Sequence, residues 1–345
     1  MRTRIIATIG PACAQPHILK ALIAEGVSVF RFNFSHGTME DHERMLERIR
    51  KVQQRMGRHI SIMQDLAGHR IRTGHLIGGH PVMLQAGQRF ALYRSLVDGS
   101  RRGVSMDYPG SFKQIHPGQL IFIEDGNIHL KVVRSSEDRL ETVVIQEGPL
   151  GQRKGVNIPG APLEFPPIST KDIQDLDFAI VHKVDYVAQS FVRSASDVTA
   201  VKRRVQTMLP HCRVIAKIEN REGIQNFAAI LRAADGIMVA RGDLGISVPI
   251  YEIPILQKWM IAACNHYKKP VITATQMLEH MIDHRQPTRA EVTDTANAVI
   301  DGSDFVMLSG ETAAGRYPVE TVHMMRRIIE YTERHAPFRG VRRTR

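Results

Sequence analysis

RIIATIGPACAQPHILKALIAEGVSVFRFNFSHGTMEDHERMLERIRKVQQRMGRHISIMQD, residues 4–65, is the stretch that decides the fold. Arg4–Ile9 is an apolar, β-branched run stopped by Gly10-Pro11. Within Pro16–Glu25, Ile18, Leu19, Leu22 and Ile23 recur at helical spacing, and Gly26 ends the pattern. Val27–Asn33 is β-type again. Met39–Met56 puts Met45, Leu46, Ile49 and Val52 on one face of a long amphipathic helix closed by Gly57, and Ile60–Asp65 is a third short strand. Strand, helix, strand, helix, strand in this order calls for a parallel sheet with helices packed over it.

The rhythm changes between about Thr73 and Lys154. Arg89–Tyr93, Leu120–Ile123, Ile128–Val133 and Thr142–Gln146 are short β-type runs between Gly and Pro turns, which predicts a small all-β insertion. From Gly155 the α/β rhythm returns. Ser169 is placed to cap a helix over Lys171–His182, with Asp172 in its first turn. Further strands are expected at Tyr186–Ser190, Arg213–Ile218, Gly236–Ala240, Val271–Ala274 and Phe305–Leu308. Helices are expected at Ala195–Met208, Gly223–Ala233, Ile253–Lys268, Arg289–Ile300 and Pro318–Arg334. Eight strands, each followed by a helix, predict an α/β fold: a (β/α)8 barrel with a β-rich insertion after strand three. The expected division is barrel over 1–72, insertion over 73–155, barrel over 156–335 and a basic tail over 336–345.

A chain of 345 residues accommodates one such barrel with an insertion, and 43% apolar with 23% charged residues excludes a disordered or collagen-like chain. The net charge is +11, and 34 of the 46 basic residues are arginine, which grips phosphate and carboxylate with a planar fork. Five of these arginines fall in Arg334–Arg345, where there is no acid. A solubilising tail accounts for them better than a nucleic-acid arm, because no aromatic residues are interleaved at stacking spacing and the chain has a single Trp. Cys13, Cys212 and Cys264 are far apart and form no CxxC pair, which argues against zinc ribbons and disulfides and for a reducing, cytoplasmic setting. No apolar run reaches membrane-spanning length, and Gly10-Pro11 interrupts the one that mimics a signal peptide.

In such a barrel the reactive face lies at the C-terminal strand ends. There the sequence supplies Arg31, Asn33, Ser35 and His36; Asp65, Arg70 and Arg72; Lys217, Glu219 and Asn220; Arg241, Gly242 and Asp243; Thr273, Thr275 and Gln276; and Ser309, Gly310 and Glu311. Glu219 and Asp243 would project from adjacent strands. Two carboxylates that leave other positions to substrate oxygens and water suit Mg²⁺, against the plainer reading of ion pairs with Lys217 or Arg241. Lys217 would act as a point charge on a phosphoryl group or enolate. Arg31 and Arg72 could clamp phosphates, and the amides of Gly242 and Asp243 could open a short helix towards a carboxylate. This is an anion-rich, metal-assisted site suited to phosphoryl transfer. GxxxxGK[ST], strand-borne GxGxxG, HExxH and GxSxG patterns are absent. His280 and His284 read as surface residues.

The blocks ATIGPAC (7–13), RFNFSHG (31–37), IRTG (71–74), KGVNIPG (154–160), SFVRSASDV (190–198), AKIEN (216–220), ARGDLG (240–245), TATQMLEHM (273–281) and SGETAAGRYP (309–318) resemble, in order, those of pyruvate kinase. The resemblance spans nearly the whole chain and implies the same barrel with a lid inserted after strand three. It implies that Glu219 and Asp243 bind the divalent ion, Mg²⁺ or Mn²⁺. It implies that Lys217 stabilises the phosphoryl group in transit and the enolate, and that Gly242, Asp243 and Thr275 hold the carboxylate of phosphoenolpyruvate. Arg31 and Arg72 would touch phosphates, and Thr275 and Ser309 would deliver a proton. Pro11, Asn33 and His36 would flank ADP or ATP, with Lys154 reaching the nucleotide from the lid. The products would be pyruvate and ATP.

The chain departs from the family in two places. Where the family usually reads DTKGPEIRTG, residues 65–74 read DLAGHRIRTG. The replaced Glu helps set a potassium requirement beside ligands matching Asn33, Ser35, Asp65 and the carbonyl of Leu66. Members with Lys there and Leu at the Thr position need no potassium, so Arg70 leads to an expectation of potassium-independent activity. The chain also stops where typical members continue into a C-terminal domain, so an effector site of that domain is expected to be missing, and a homo-oligomer stays open. Two other readings remain. One is a related metalloenzyme acting on phosphoenolpyruvate or a keto acid with another acceptor. The other is a non-catalytic protein whose tail binds nucleic acid.

Overall fold

The fourth and sixth strands of the chain's α/β series are buried on both faces. Tyr186–Gln189 and Gly236–Ala240 are buried at every position. A strand covered on both sides cannot alternate polar and apolar residues, and it belongs in a parallel sheet closed over by helices. The computed structural model describes residues 1–124, 126–161 and 164–336. In it Arg4–Thr8, Val27–Asn33, Ser61–Asp65, Tyr186–Gln189, Arg213–Ile218, Gly236–Ala240, Val271–Ala274 and Phe305–Leu308 pair in parallel, each with the next. Arg4 opposite Phe305 closes the ring, so the eight-stranded barrel has no edge.

Two layers of core arise from the alternation of side chains across each strand. Ile6, Val29, Met63, Ile215, Met238, Ile272, Phe305 and Met307 point inward and fill the barrel. Ile5, Phe30, Ile62, Val214, Val239 and Val306 point outward and meet the helices. The helix Met39–Met56 buries Leu46, Ile49 and Val52 against that layer, as its spacing predicts. Thr38 and Asp41 form a capping box at its start, and Gly57, at φ 61°, ends it in the left-handed conformation that glycine adopts at low cost. The Ser169 hydroxyl accepts from the Asp172 amide at 3.0 Å, the cap expected for Thr170–His182.

Between Asp65 and Thr170 the chain builds the β-rich unit. Val156–Asn157, Leu120–Ile123, Ile128–Ser135, Arg139–Gln146, Arg89–Tyr93 and Gly103–Ser105 form one sheet in that spatial order, and Gly148–Leu150 pairs with Val82–Leu84. It has its own core of Phe90, Leu92, Phe112, Ile121, Leu130 and Val144. Its two connections to the barrel run side by side: Arg72 pairs with Gly155, and the Thr73 amide donates to the Lys154 carbonyl at 2.8 Å.

The structure amends the sequence reading in four places. The helix expected over Gly223–Ala233 is two, Arg221–Gln225 and Phe227–Ala233, broken at Asn226. The Asn226 side chain donates to the Arg193 carbonyl at 2.8 Å, the local diversion that makes Asn a poor helix-interior residue. Gly310–Ala313 is a helix of four residues, too short to show a period. Strand four ends at Gln189, leaving Ser190 outside the ladder. Val82–Leu84, Gly103–Ser105, Gly148–Leu150 and Val156–Asn157 are too short for alternation to register. The expected basic tail lies outside the described residues from 337 on. Among the described residues no helix is long and apolar enough to cross a membrane, and all three cysteines are buried thiols.

Phe305 is 2% exposed and fills the barrel interior. Phe305→Ala should lower stability by about 3–5 kcal/mol through the cavity it leaves, read as a fall in the denaturant midpoint. A change below about 1 kcal/mol would contradict this packing.

Candidate active site

Asp65 ends strand three, and burial leaves its carboxylate no water. Two cations replace the water. Arg31, from strand two, donates its Nε to Asp65 Oδ2 at 2.6 Å, and Lys217, from strand five, donates its Nζ to Oδ1 at 3.0 Å. Burial alone would raise the Asp65 pKa, but Lys217 and Arg31 outweigh it and hold the carboxyl below its usual range. Arg31 is further fixed by the Thr8 hydroxyl at 2.9 Å, from strand one.

The Lys217 ammonium hydrogen-bonds to two acceptors and forms an ion pair with a third group. Besides Asp65 these are Ser190 Oγ at 2.6 Å and Glu219 Oε1 at 3.1 Å. Burial would lower its pKa, yet Asp65 and Glu219 raise it above the ordinary lysine value, so Lys217 stays charged. The Ser190 hydroxyl donates in turn to the Leu66 carbonyl at 2.7 Å. Gly68 makes this approach feasible. It sits at φ 68°, and a β-carbon there would come within 2.9 Å of Ser190 Cβ.

Glu219 is 1% exposed, and its Oε2 accepts from the Phe191 amide at 2.6 Å. Burial pushes its pKa up to about 7, Lys217 opposes this, and the nearby Asp243 carboxylate adds to it. Among the described residues no cluster of three or more His, Cys, Asp or Glu is arranged for a metal ion. Glu219 and Asp243 nevertheless line one cleft as a pair of carboxylates, with Asp243 helping to hold the Glu219 pKa up. That donor set fits a hard dication that takes its remaining ligands from substrate oxygens and water. Glu219 also pairs with Lys217, so the ion-pair reading and the metal reading describe the same carboxylate.

Of the residues singled out from sequence, the structure gathers Arg31, Asn33, Ser35, His36, Arg70, Lys217, Glu219 and Asp243 around this cleft, together with Ala67, Ser190 and Phe191. Asp65 and Leu66 lie buried beneath it. The His36 pKa is lowered by burial and then by Arg72, Arg70 and Arg31, the signature of a cleft crowded with positive charge. Gly242 and Thr275 are not among its lining residues; Gly242 precedes the lining Asp243, and its amide donates to Thr275 Oγ1 at 2.9 Å. Gly242 and Asp243 lie in the first turn of the expected short helix, Arg241–Ser247.

Pro11, Arg72, Lys154 and Ser309 do not line the cleft. Pro11 opens a turn after strand one. The Arg72 amide donates to Asp107, and Lys154 pairs with Glu124, both within the β-rich unit and its connections. Ser309 comes directly after strand eight, and its buried hydroxyl has no partner among the described residues. His280 and His284 stack on each other at the surface.

Sequence reasoning passed over Ser190 and Phe191 as cleft-lining positions, and over Asp65 as the hub. The rule that strand ends face the site carries a signal for both, because Ser190 comes directly after strand four and Asp65 is the last residue of strand three.

Removing Asp65 strands two buried cations, so Asp65→Ala should cost about 3–5 kcal/mol of stability. The Asp65 pKa is lower folded than unfolded. Its contribution is therefore complete above the usual carboxylate range near pH 4 and is lost as pH falls through the lowered value. Asp65→Asn should accordingly flatten the acid limb of a stability–pH curve; an unchanged limb would refute the hub.

Known proteins resemble the chain throughout. A sequence profile described as pyruvate kinase, barrel domain, matches residues 1–322. A pyruvate kinase of Thermococcus litoralis is 45% identical over 344 residues, covering 100% of this chain and 72% of that protein. One from Geobacillus stearothermophilus is 44% identical over 99% of this chain and 58% of its own length. The chain thus spans little more than half of several curated relatives. A crystal structure of a pyruvate kinase from Cryptosporidium parvum superposes with a TM-score of 0.93 at 42% identity, covering 97% of this chain and 70% of that one.

Proposed function

The chain belongs to the pyruvate kinase family, and on that premise we propose that it transfers the phosphoryl group of phosphoenolpyruvate to ADP, giving pyruvate and ATP. The observation that carries the reading is the Lys217 ammonium, kept charged in a cleft shared with Glu219, Asp243, Arg31 and Arg70. Phosphoryl transfer asks a protein mainly for positioning and for neutralisation of charge, and this cleft supplies both.

Glu219 and Asp243 would hold a divalent cation, Mg²⁺ or Mn²⁺, whose contribution is to neutralise phosphoryl and enolate oxygens. The other parts fall to the chain itself. Lys217 is pre-oriented by Asp65, Ser190 and Glu219, and a phosphoryl oxygen would compete with these acceptors for its protons. Arg31, braced by Asp65 and Thr8, presents its remaining N–H groups to phosphate. The Gly242 and Asp243 amides, with Thr275, would receive the substrate carboxylate. Thr275 and Ser309 would bring a proton to the enolate, with Ser309 a hydroxyl that has spare bonding capacity. Pro11, Asn33, His36 and Arg72 would border the nucleotide. We read residues 73–155 as a lid that brings Lys154 towards it and excludes water on closure. A cytoplasmic location fits three buried cysteines that form no disulfide.

We also propose that turnover needs no potassium. Arg70 lines the cleft beside Asn33 and Ser35, placing a permanent cation next to the residues that match the monovalent-ion ligands. It also lies against Gly155, where a β-carbon would come within 3.1 Å of the guanidinium.

Pyruvate formation from phosphoenolpyruvate, ADP and Mg²⁺ by the purified protein tests the main reading, and its absence would overturn it. Lys217→Met should lower kcat by about 10²–10³-fold, the usual loss when one preorganised charge is removed. Replacing K⁺ with a tetraalkylammonium salt at constant ionic strength should leave kcat within about twofold. A tenfold loss would remove the potassium proposal and leave the main one standing.

A further inference from the structure

Arg241 is the first residue of Arg241–Ser247, at the end of strand six, and its side chain points away from the cleft. It is 8% exposed, so all five of its N–H groups need acceptors inside the protein. They find them on the turn after strand seven. Nε approaches the carbonyls of Ala274 at 3.3 Å and Thr275 at 3.2 Å. Nη2 donates to the carbonyls of Thr275 at 2.5 Å and Gln276 at 3.1 Å, and contacts Met277 Sδ at 2.9 Å. Nη1 donates to Asp294 Oδ2 at 2.5 Å, from helix Arg289–Asp301, and approaches Gln257 Oε1 at 3.3 Å, from helix Ile253–His266.

The turn so held is a costly one. Thr275 and Gln276 have φ of 66° and 52°. Two consecutive non-glycine residues on the left-handed side, one of them β-branched, persist only where the surroundings over-determine them. Glycine would relieve the strain, but it would delete the hydroxyl that receives the Gly242 amide. Arg241 thereby joins two strand ends. Its backbone leads into Gly242 and Asp243, and its side chain fixes the carbonyls of Thr275 and its neighbours.

We propose that Arg241 is a positioning residue for the substrate carboxylate. It clamps the Ala274–Met277 turn so that Thr275 Oγ1 and the Gly242 and Asp243 amides form one preorganised cradle, and Asp294 orients the clamp. The proposal rests on the function given above. Lysine keeps the charge but has no planar fork to reach consecutive carbonyls, so Arg241→Lys is the informative change.

The experiment compares the parent with Arg241→Lys in steady-state kinetics with Mg²⁺, varying each substrate in turn. The expected result is a rise in KM for phosphoenolpyruvate with a fall in kcat/KM of ten- to a hundredfold, KM for ADP within twofold, and an unchanged circular dichroism spectrum. Equal rises in both KM values, or unaltered kinetics, would overturn the clamp. A second measurement does not depend on turnover. Calorimetric binding of oxalate, a planar dicarboxylate probe, in the presence of Mg²⁺ should be at least tenfold weaker in Arg241→Lys, and equal affinity would overturn the clamp. A parent that binds oxalate but forms no pyruvate would fail the proposed function while the oxalate comparison still judged the clamp.

Discussion

The interior of the barrel's C-terminal rim depends on one carboxylate that carries two cations. Asp65 takes Arg31 on one oxygen and Lys217 on the other. Unpaired, each of these groups would be costly to bury; together they form a unit with the charge to hold an anion. Strand three supplies the acid, and strands two and five supply the bases. The closed barrel brings all three to one rim.

From that hub the order spreads outward through hydrogen bonds. Lys217 organises Ser190 and Glu219, and the Phe191 amide fixes the far oxygen of Glu219. Phe191 has φ 54°, so here too a strained backbone position sits at a strand end where a polar contact needs it. The Arg241 clamp repeats the principle between the ends of strands six and seven. Strain at Thr275 and Gln276 is offset by a buried guanidinium rather than relieved by glycine. In both cases the local rule is broken where chemistry is expected, and the compensation can be named residue by residue.

The sequence carried the barrel because burial on both faces leaves a simple record. Continuous apolar strands alternate with helices whose apolar residues recur at i, i+3 and i+4, as in Leu46, Ile49 and Val52. In the β-rich unit the longer strands, Arg89–Tyr93, Leu120–Ile123 and most of Ile128–Ser135 and Arg139–Gln146, were legible, and the shortest ones were not. Its two- and three-residue strands are defined by partners far along the chain, such as Leu84 opposite Gly148, and not by any local period.

The fold class, the place of the insertion and the residue types at the strand ends, Lys217, Glu219, Asp243 and Arg31 among them, are written in the amino-acid order alone. They come from local periodicity and from a rule about which end of a parallel strand faces the site. Which partners those groups take is a matter of the folded barrel. It made Asp65 the hub, gave Ser190 a place on Lys217, and sent Arg241 to the Thr275 turn rather than to Glu219. The physical reason is distance. A hydrogen bond is settled within about 3 Å, between side chains that closure of the barrel brings together from remote parts of the chain, and no spacing within one strand encodes it.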